Sequence, residues 1–360
     1  MTTRRLLLTS ASALAALAFI LPSPARAEDQ LSVVATFSIL GDMVARIGGD
    51  HIALTTLVGP GGDAHVYQPT PQAARAVAEA DVLIMNGLEF EGWLERLVEA
   101  ASFDGGLVEA TVGVEAISFE EHDDDHDDHD DHDDHDDEHA GDDDHDDHGD
   151  DHAEGKDHDD DHGDEHGEEH AEHDDHDDHA GHDHGAFDPH AWQSLDNAVI
   201  YANNIAAGLS LADPDNASNY YSNRAAFVAE IEALGAEVDA MLGGLPEERR
   251  TVVTSHDAFG YFAQAYNLTF EAPQGLSTES EVSAKDVAEL IEQIREEGIS
   301  AVFVESITDN RLLQQIANET GATIGGTLYS DALSEAEGPA GTYLDMVRHN
   351  ATTIASALGS

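Results

Sequence analysis

Five histidines lie outside an acidic, histidine-rich stretch of the sequence, and three of them stand where a ligand site is expected. His65 follows a glycine-rich run, His190 follows an Asp-Pro pair, and His256 comes directly after a short β-branched run. Loops beyond the carboxyl ends of strands form the binding crevice of α/β folds. Three neutral imidazoles and one oxygen donor complete a tetrahedral zinc site. These three histidines are therefore candidate zinc ligands.

Each of the three also has a simpler interpretation. More than 60 residues separate each one from the next, so spacing cannot show that they meet. His65 could cap a helix or bond within its loop, His190 could be a turn residue, and His256 could be a hydrogen-bonded histidine at a strand end. The remaining two, His51 and His349, have polar neighbours, and a plain surface role is expected for both.

The first 27 residues predict export from the cytoplasm. Arg4 and Arg5 precede the apolar run Leu6–Leu21, and Ala25–Ala27 supplies a small-residue cleavage site before Glu28. An uncleaved anchor is the alternative, but the run is shorter than the roughly 20 apolar residues that cross a bilayer. The Arg pair does not decide between the Sec and twin-arginine routes. We expect a signal peptide over residues 1–27 and a protein located in the periplasm.

The sequence contains no cysteine. Disulfides, thiolate ligands and a lipid-bearing cysteine at the cleavage site are therefore excluded. Any metal ion must be held by histidine nitrogen and carboxylate oxygen.

The formal net charge of −62 is concentrated in one region. Residues 120–185, the histidine-rich insertion, hold 36 of the 76 acidic residues and one basic residue, which leaves −27 for the rest of the chain. Nucleic acid is an unsuitable partner because a polyanion would be repelled everywhere. The roughly 270 residues outside the signal peptide and the insertion are enough for two domains with cores of their own.

The histidine-rich insertion contains 18 of the 23 histidines and almost no residue that could form a core. A disordered, solvated segment is expected. Histidine and carboxylate side chains at this density predict additional, weakly bound Zn²⁺. The insertion could concentrate zinc, pass it on or sense scarcity, or it could be a charged spacer that binds metal only because of its composition.

Short β-branched runs alternate with helical patterns on both sides of the insertion, which is typical of parallel α/β sheets. In the first half the pattern predicts strands and helices at Leu31–Phe37, Ile39–Ile47, Ile52–Val58, Pro71–Ala80 and Asp81–Asn86. In the second half it predicts them at Thr251–Ser255, Ala258–Tyr266, Leu268–Glu271, Ser283–Glu297, Ala301–Glu305, Asn310–Thr320 and Thr342–Ala357. Thr70 and Ser283 are predicted helix N-caps.

Between the two halves, apolar residues with helical spacing predict one long helix at about Pro214–Leu242. We therefore expect an α/β protein of two parallel-sheet lobes joined by a long rigid helix, with a metal site in the cleft between the lobes. The expected division is an N-terminal lobe over residues 28–212 that contains the insertion, a connecting helix over residues 213–243, and a C-terminal lobe over residues 244–360.

Four segments resemble motifs of the cluster A-I metal-binding proteins of ABC transporters, in the same order. They are Gly62–Pro69, Asp188–Trp192, Ser255–Phe262 and Leu328–Ser334. With the histidine-rich insertion before the second motif, the resemblance covers essentially the whole mature chain. It implies that His65, His190 and His256 are metal ligands and that Asp331 is the fourth.

The same resemblance implies zinc as the cargo. Manganese-selective relatives tend to carry a carboxylate where His256 stands, and three imidazoles with one carboxylate favour zinc over a harder ion. Asp63 and Asp188 are each either an acceptor that orients a ligand imidazole or a turn residue. Two departures are the absence of a disulfide found in some zinc members and Val282 at a position that often holds proline.

The resulting expectation is a receptor, not an enzyme, that captures Zn²⁺ with high affinity and delivers it to an ABC permease in the inner membrane. A monomer is expected, and a periplasmic zinc chaperone is a further candidate partner. The alternatives are a manganese receptor of the same class and a storage or metallochaperone protein that acts through the insertion. A hydrolytic zinc enzyme is disfavoured because Asp331 would close the coordination position that catalysis needs.

Overall fold

A computed structural model describes residues 30–118, 187–280 and 282–359 of the chain. The predicted signal peptide and the predicted histidine-rich insertion lie outside the described residues. The two described ends that flank the insertion meet, because Ser118 and Phe187 form an isolated antiparallel bridge.

The first lobe is built on a four-stranded sheet in which every neighbouring pair is parallel and the strand order is β2-β1-β3-β4. Its elements before the insertion are β1 Leu31–Phe37, α1 Ser38–Gly48, β2 Ile52–Val58, α2 Pro71–Ala78, β3 Val82–Met85, α3 Leu94–Ala101 and β4 Gly106–Glu109. The central strands β1 and β3 are largely buried, as expected for a parallel sheet covered on both faces.

Two helices follow the insertion, α4 Leu195–Ala212 and α5 Ala217–Leu242. The helix α5 packs against α1 and α4 of the first lobe and against the C-terminal helix α9, Tyr343–Leu358. The helix predicted from about Pro214 begins at Ala217, because Pro214–Asn216 form a separate 3₁₀ turn before it.

The second lobe repeats the topology of the first. Its sheet has the order β6-β5-β7-β8, again with parallel neighbours. Its elements are β5 Thr251–Val253, α6 Gly260–Tyr266, β6 Thr269–Glu271, α7 Ala284–Glu297, β7 Ala301–Glu305, α8 Arg311–Thr320 and β8 Thr323–Leu328. The predicted α/β class with two parallel-sheet lobes is confirmed, whereas the exact domain boundaries stay a prediction.

Capping residues lie at the ends of several helices, at positions that the sequence indicates. Thr70 accepts a hydrogen bond from Ala73 N, and Pro71 occupies the first turn of α2. Ser283 accepts from Asp286 N, and Gly298 ends α7 in the left-handed conformation at φ 67°. The two predicted N-caps, Thr70 and Ser283, are confirmed.

Among the α-helices and β-strands of the described residues, four have no counterpart in the sequence-based prediction: α3, β4, α4 and β8. The strand β4 is mostly exposed, so its side chains show no apolar pattern. The strand β8 contains Gly325 and Gly326, which have no side chains to carry such a pattern. The helix α4 is rich in alanine and buries residues along its whole length, which blurs its amphipathic period.

The described residues all fall within one compact unit of the chain. The core runs continuously from the first sheet through α1, α4 and α5 to α9 and the second sheet, and a smaller cluster lies under α7 and α8. Trp192, between the two sheets in sequence, is fully buried. Within the described ranges, no helix combines the length and the apolar character that crossing a bilayer requires.

Candidate metal centre

His65 reaches the site from the loop between β2 and α2, residues 59–70, here called the His65 loop. The carboxylate of Asp63 accepts a hydrogen bond from His65 N at 2.9 Å. The indole of Trp93 donates to Ala64 O at 2.7 Å. The His65 ring packs edge-on against Phe90, with 4.8 Å between ring centroids. These contacts fix both the backbone and one face of the imidazole.

His190 lies just before a 3₁₀ turn, Ala191–Gln193. The Asp188 Oδ1 atom accepts from His190 N at 2.9 Å and lies 2.7 Å from His190 Nδ1. Asn86, beyond the end of β3, donates to Pro189 O at 2.9 Å. Because Asp188 occupies Nδ1, the other ring nitrogen, Nε2, is left to face the site.

His256 follows β5 by three residues and is fully buried. Its Nδ1 lies 2.7 Å from Oε2 of Glu305, the last residue of β7. The other Glu305 oxygen accepts hydrogen bonds from Ser255 N at 2.8 Å and His256 N at 2.9 Å. One buried carboxylate therefore holds both the backbone and the ring of His256.

Asp331 follows β8 by three residues and is fully buried. Its loop is tied to the first lobe, since the side chains of Trp192 and Gln193 both donate to Ser330 O, at 2.9 and 2.7 Å. Leu333 N donates to Ser38 Oγ at 3.0 Å. The loop that carries the acidic residue is thus held across the lobe boundary.

The structure brings the four predicted residues His65, His190, His256 and Asp331 together, with one potential ligand atom from each within 4.8 Å of the others. The Nε2 atoms of His65 and His190 lie 3.4 Å apart. Asp331 Oδ2 lies 3.2 Å from His65 Nε2 and 3.1 Å from His256 Nε2. Asp331 Oδ1 lies 3.7 Å from His190 Nε2. Separations of this size suit four donors around a single small cation.

The electrostatics of the group are dominated by its buried charges. Burial alone would lower the pKa of His256, but the carboxylates of Glu305 and Asp331 outweigh it and raise that pKa well above its usual value. Burial alone would raise the pKa of Asp331, but His256 and His190 lower it well below its usual range. A proton on His256 facing an ionised Asp331 is therefore the state favoured without a bound cation.

The chemistry of this donor set is that of a cation site. Asp331 Oδ1 is buried and accepts no hydrogen bond from any described residue, and leaving such an oxygen without a partner is costly. Imidazole nitrogen suits zinc and neighbouring transition metals, and carboxylate oxygen suits harder ions. Three imidazoles and one carboxylate supply the four donors of a tetrahedral centre.

Asp63 and Asp188 have different roles in the structure. Asp188 is the acceptor that orients the His190 ring, which is one of the two roles considered for it from the sequence. Asp63 bonds to the backbone N of His65 and accepts from the Thr278 hydroxyl at 2.7 Å. It therefore acts as a turn residue with a partner in the second lobe.

The two remaining histidines lie apart from this group. His51 is partly buried with its ring edge-on to Tyr220, and His349 places Nε2 3.0 Å from Thr327 O. Both side chains are thus less exposed than expected for the plain surface role that the sequence predicted. Glu305 was missed in the sequence, although a single acidic residue ending the buried run Ala301–Glu305 was a signal that could have been read.

Comparison with known proteins places the chain among metal-binding transport proteins. The family described as zinc-uptake complex component A periplasmic matches residues 33–357. The chain is 31% identical to the manganese-binding lipoprotein MntA of Bacillus subtilis, over 92% of this chain and 91% of that protein. It is 28% identical to the iron-binding protein YfeA of Yersinia pestis, over 94% of this chain and 89% of that protein.

Solved structures agree with this placement. The periplasmic zinc binding protein TroA from Treponema pallidum superposes with a TM-score of 0.71 at 26% identity, over 92% of this chain and 99% of that chain. These relatives carry manganese, iron and zinc in their descriptions, so similarity alone leaves the ion open.

Proposed function

This chain belongs to the family of periplasmic zinc-uptake complex component A proteins, and from that premise we propose that it captures Zn²⁺ with high affinity and delivers it to an ABC permease. The coarser part of this statement follows from membership: the chain is the periplasmic substrate-binding component of a metal ABC transporter. The identity of the ion, the four ligands and the delivery step are the proposal.

The observation that carries the proposal is the donor set. Three buried or nearly buried imidazoles and one buried carboxylate converge within 4.8 Å. We propose His65, His190, His256 and Asp331 as the ligands of the transported ion. Zinc accepts nitrogen donors readily and has no geometric preference against a tetrahedral site, whereas manganese favours oxygen-rich, octahedral sites.

The proposal assigns a transport role and no catalysis. A catalytic zinc centre keeps one coordination position open for water. With Asp331 as the fourth ligand, the position is filled and the ion is enclosed by protein. An enclosed ion suits a carrier that must hold its cargo and release it only at the permease.

Manganese is the second candidate, because relatives such as MntA are described as manganese-binding. The two candidates differ at His256, since a carboxylate there would give a second oxygen donor. A third candidate, storage or metallochaperone action through the histidine-rich insertion, would depend on residues 120–185 and not on the four-residue centre. A periplasmic chaperone that loads the site and a monomeric state are further parts of the zinc proposal.

Two measurements test these alternatives. In the bacterium that encodes the chain, disrupting its gene should stop growth in chelator-treated medium, and added zinc should restore growth where manganese and iron do not. A competitive zinc titration of the mature chain without residues 120–185 should retain one tight equivalent. Rescue by manganese would show that manganese, and not zinc, is the cargo. Loss of the tight equivalent would show that the insertion is the functional metal-binding element.

A further inference from the structure

One ligand differs from the others in how it is enclosed. The His65 side chain retains 5% of its exposure, whereas those of His190, His256 and Asp331 retain none. His65 also lies seven residues beyond the end of β2, whereas His256 and Asp331 each lie three residues beyond the strand that precedes them. It is the ligand whose withdrawal would open the site with the least disruption of buried structure.

The His65 loop is tied to the second lobe by a shared carboxylate. Asp63 Oδ1 accepts from His65 N at 2.9 Å, and its Oδ2 accepts from the hydroxyl of Thr278 at 2.7 Å. Asp63 and Thr278 are 215 residues apart in the chain. The position of His65 is thereby coupled to the segment that follows β6.

That segment is in turn connected to His256. The amide of Gln274 donates to Thr278 O and Ser280 O, both at 2.7 Å, which shapes the turn that presents the Thr278 hydroxyl. Asp257, the residue after His256, donates its backbone N–H to Gln274 O at 3.1 Å. A continuous series of hydrogen bonds therefore joins the loops of two ligands from opposite lobes.

A second tie has a different character. Gly61 N donates to Leu333 O at 2.9 Å, between the His65 loop and the loop of Asp331. This bond uses backbone groups only, so no side-chain substitution removes it directly. The side-chain bond between Asp63 and Thr278 is the tie that can be removed without deleting a ligand.

We propose that Asp63 is a positioning residue that, through Thr278, fastens His65 to the second lobe and thereby sets how long the ion stays bound. The inference deepens the proposed function and rests on it. Opening the Asp63–Thr278 bond frees one lobe-to-lobe tie of the His65 loop while the other three ligands keep their buried supports. Release then begins with departure of His65.

The surroundings of Thr278 make this bond suited to opening. Asp63 and Thr278 line a cavity of about 300 Å³ together with polar residues that include Ser255 and Thr308. A hydroxyl and a carboxylate beside such a cavity can exchange their mutual hydrogen bond for bonds to water. The bond therefore restrains the loop without committing the site to a permanently closed state.

The test measures zinc dissociation from the full mature chain loaded with one equivalent of Zn²⁺, using excess chelator in a stopped-flow instrument. Thr278→Val removes the hydroxyl at nearly constant volume and should speed dissociation about tenfold, the loss expected for one hydrogen bond to a charged group. Association should change less than about twofold, because such losses act mainly on dissociation. Thr278→Ser restores the donor and should return the wild-type rate.

Thr308→Val is the matched control. Thr308 lines the same cavity, but its hydroxyl donates to Ser255 Oγ at 2.9 Å, within the second lobe. Its loss should leave zinc dissociation unchanged. In an Asp63→Ala background, Thr278→Val should have no further effect, because the two residues act through one bond. The absorption spectrum of bound Co²⁺ in Thr278→Val should match that of the wild type, showing that all four ligands still bind.

The outcomes separate this inference from the proposed function. If the wild-type chain holds no tight zinc, the proposed function fails and this inference fails with it. If the wild type binds tightly but Thr278→Val releases zinc at the wild-type rate, or Thr278→Ser behaves like Thr278→Val, only the positioning role is overturned. Equal acceleration by Thr308→Val would also overturn it, by showing a general loosening of the second lobe.

Discussion

His65 and His190 reach the centre from the first lobe, and His256 and Asp331 reach it from the second. A buried carboxylate backs one histidine in each lobe, Asp188 behind His190 and Glu305 behind His256, but aromatic packing supports the first-lobe pair. The first-lobe histidines pack against aromatic rings, since His65 contacts Phe90 and His190 contacts Trp192 at centroid distances of 4.8 and 5.3 Å. The second-lobe pair is held by buried charge, with Glu305 behind His256.

The difference shows how one centre can combine firm binding with release. Buried ion pairs tolerate little displacement, because separating the partners leaves an uncompensated charge. Asp63, in contrast, accepts a hydrogen bond from the backbone N of His65 and does not hold its ring. The second lobe therefore supplies the fixed half of the centre, and the His65 loop supplies the half that can leave.

Deleting one ligand from each half makes the strongest test of this comparison. His256→Ala and His65→Ala should each weaken zinc binding more than about 100-fold. Removing only a hydrogen-bond partner of a metal ligand already lowers metal affinity about 10- to 100-fold. The effect of His256→Ala should be larger, since water can replace the missing imidazole more easily at His65, whose side chain retains 5% of its exposure, than at the fully buried His256. A competitive titration against a chromophoric chelator measures both.

His349→Ala is the control for those deletions, because His349 is partly buried but lies outside the four-residue group. Zinc affinity of the control should equal that of the wild type. A His256→Ala variant that binds within tenfold of the wild type would remove His256 from the ligand set and with it the distinction between the halves.

The carboxylates behind the two histidines give a smaller contrast. Glu305→Gln and Asp188→Asn should each reduce zinc affinity by about 10- to 100-fold. Glu305→Gln should be the more severe, because Glu305 also accepts from two backbone N–H groups. Glu279→Gln, at an exposed position of the second lobe, serves as the matched control. Equal losses in both variants would mean that the two halves are held alike.

The number of protons released when zinc binds should show that the titrating group lies in the second-lobe half of the centre. The raised pKa of His256 means that the metal-free site keeps a proton at neutral pH, which zinc must displace. Binding should release about one proton near pH 7, and affinity should rise about tenfold per pH unit up to that raised pKa. Calorimetry in buffers of different ionisation enthalpy counts the protons.

Glu305→Gln sharpens the same measurement. Removing the Glu305 charge withdraws the first of the interactions that raise the pKa of His256. The variant should therefore release fewer protons at pH 7, whereas Asp188→Asn should leave the count nearer to that of the wild type. Proton release that is unaffected by Glu305→Gln would place the titrating group elsewhere.

Trp192→Phe should have the smallest effect on binding and should act on stability instead. The substitution removes the hydrogen bond to Ser330 O and leaves Gln193 to satisfy that carbonyl. A loss of about 1 kcal/mol is expected for the hydrogen bond, and the smaller ring leaves a cavity at this fully buried position that adds to the loss. The melting temperature should therefore fall by at least about 2–4 °C. Thermal unfolding followed by circular dichroism, with and without zinc, checks it.

Much of the fold could be read directly from the sequence. The strands at Leu31–Phe37, Ile52–Val58 and Ala301–Glu305 were predicted with the bounds that the structure gives. Each is a β-branched run bounded by turn or capping residues, so the information is local. The mostly exposed strand β4 and the glycine-containing strand β8 carry no such pattern and were missed.

The four proposed ligands could also be predicted from the sequence. Without cysteine, and with most histidines confined to the insertion, few nitrogen ligands remained, and family motifs selected His65, His190, His256 and Asp331 among them. What could not be read was the support of each ligand. Asp63 and Asp188 stand two residues before a histidine in each case, yet only Asp188 contacts the ring of its histidine.

The sequence by itself therefore determined most of the element order, the two lobes and the types of donor available, because these depend on local pattern and composition. Only the tertiary structure decided that Glu305 holds His256 and that Asp63 reaches Thr278, across 49 and 215 residues of chain. Such contacts arise from the meeting of two sheets at their carboxyl ends, and no local periodicity encodes which side chains that meeting brings together.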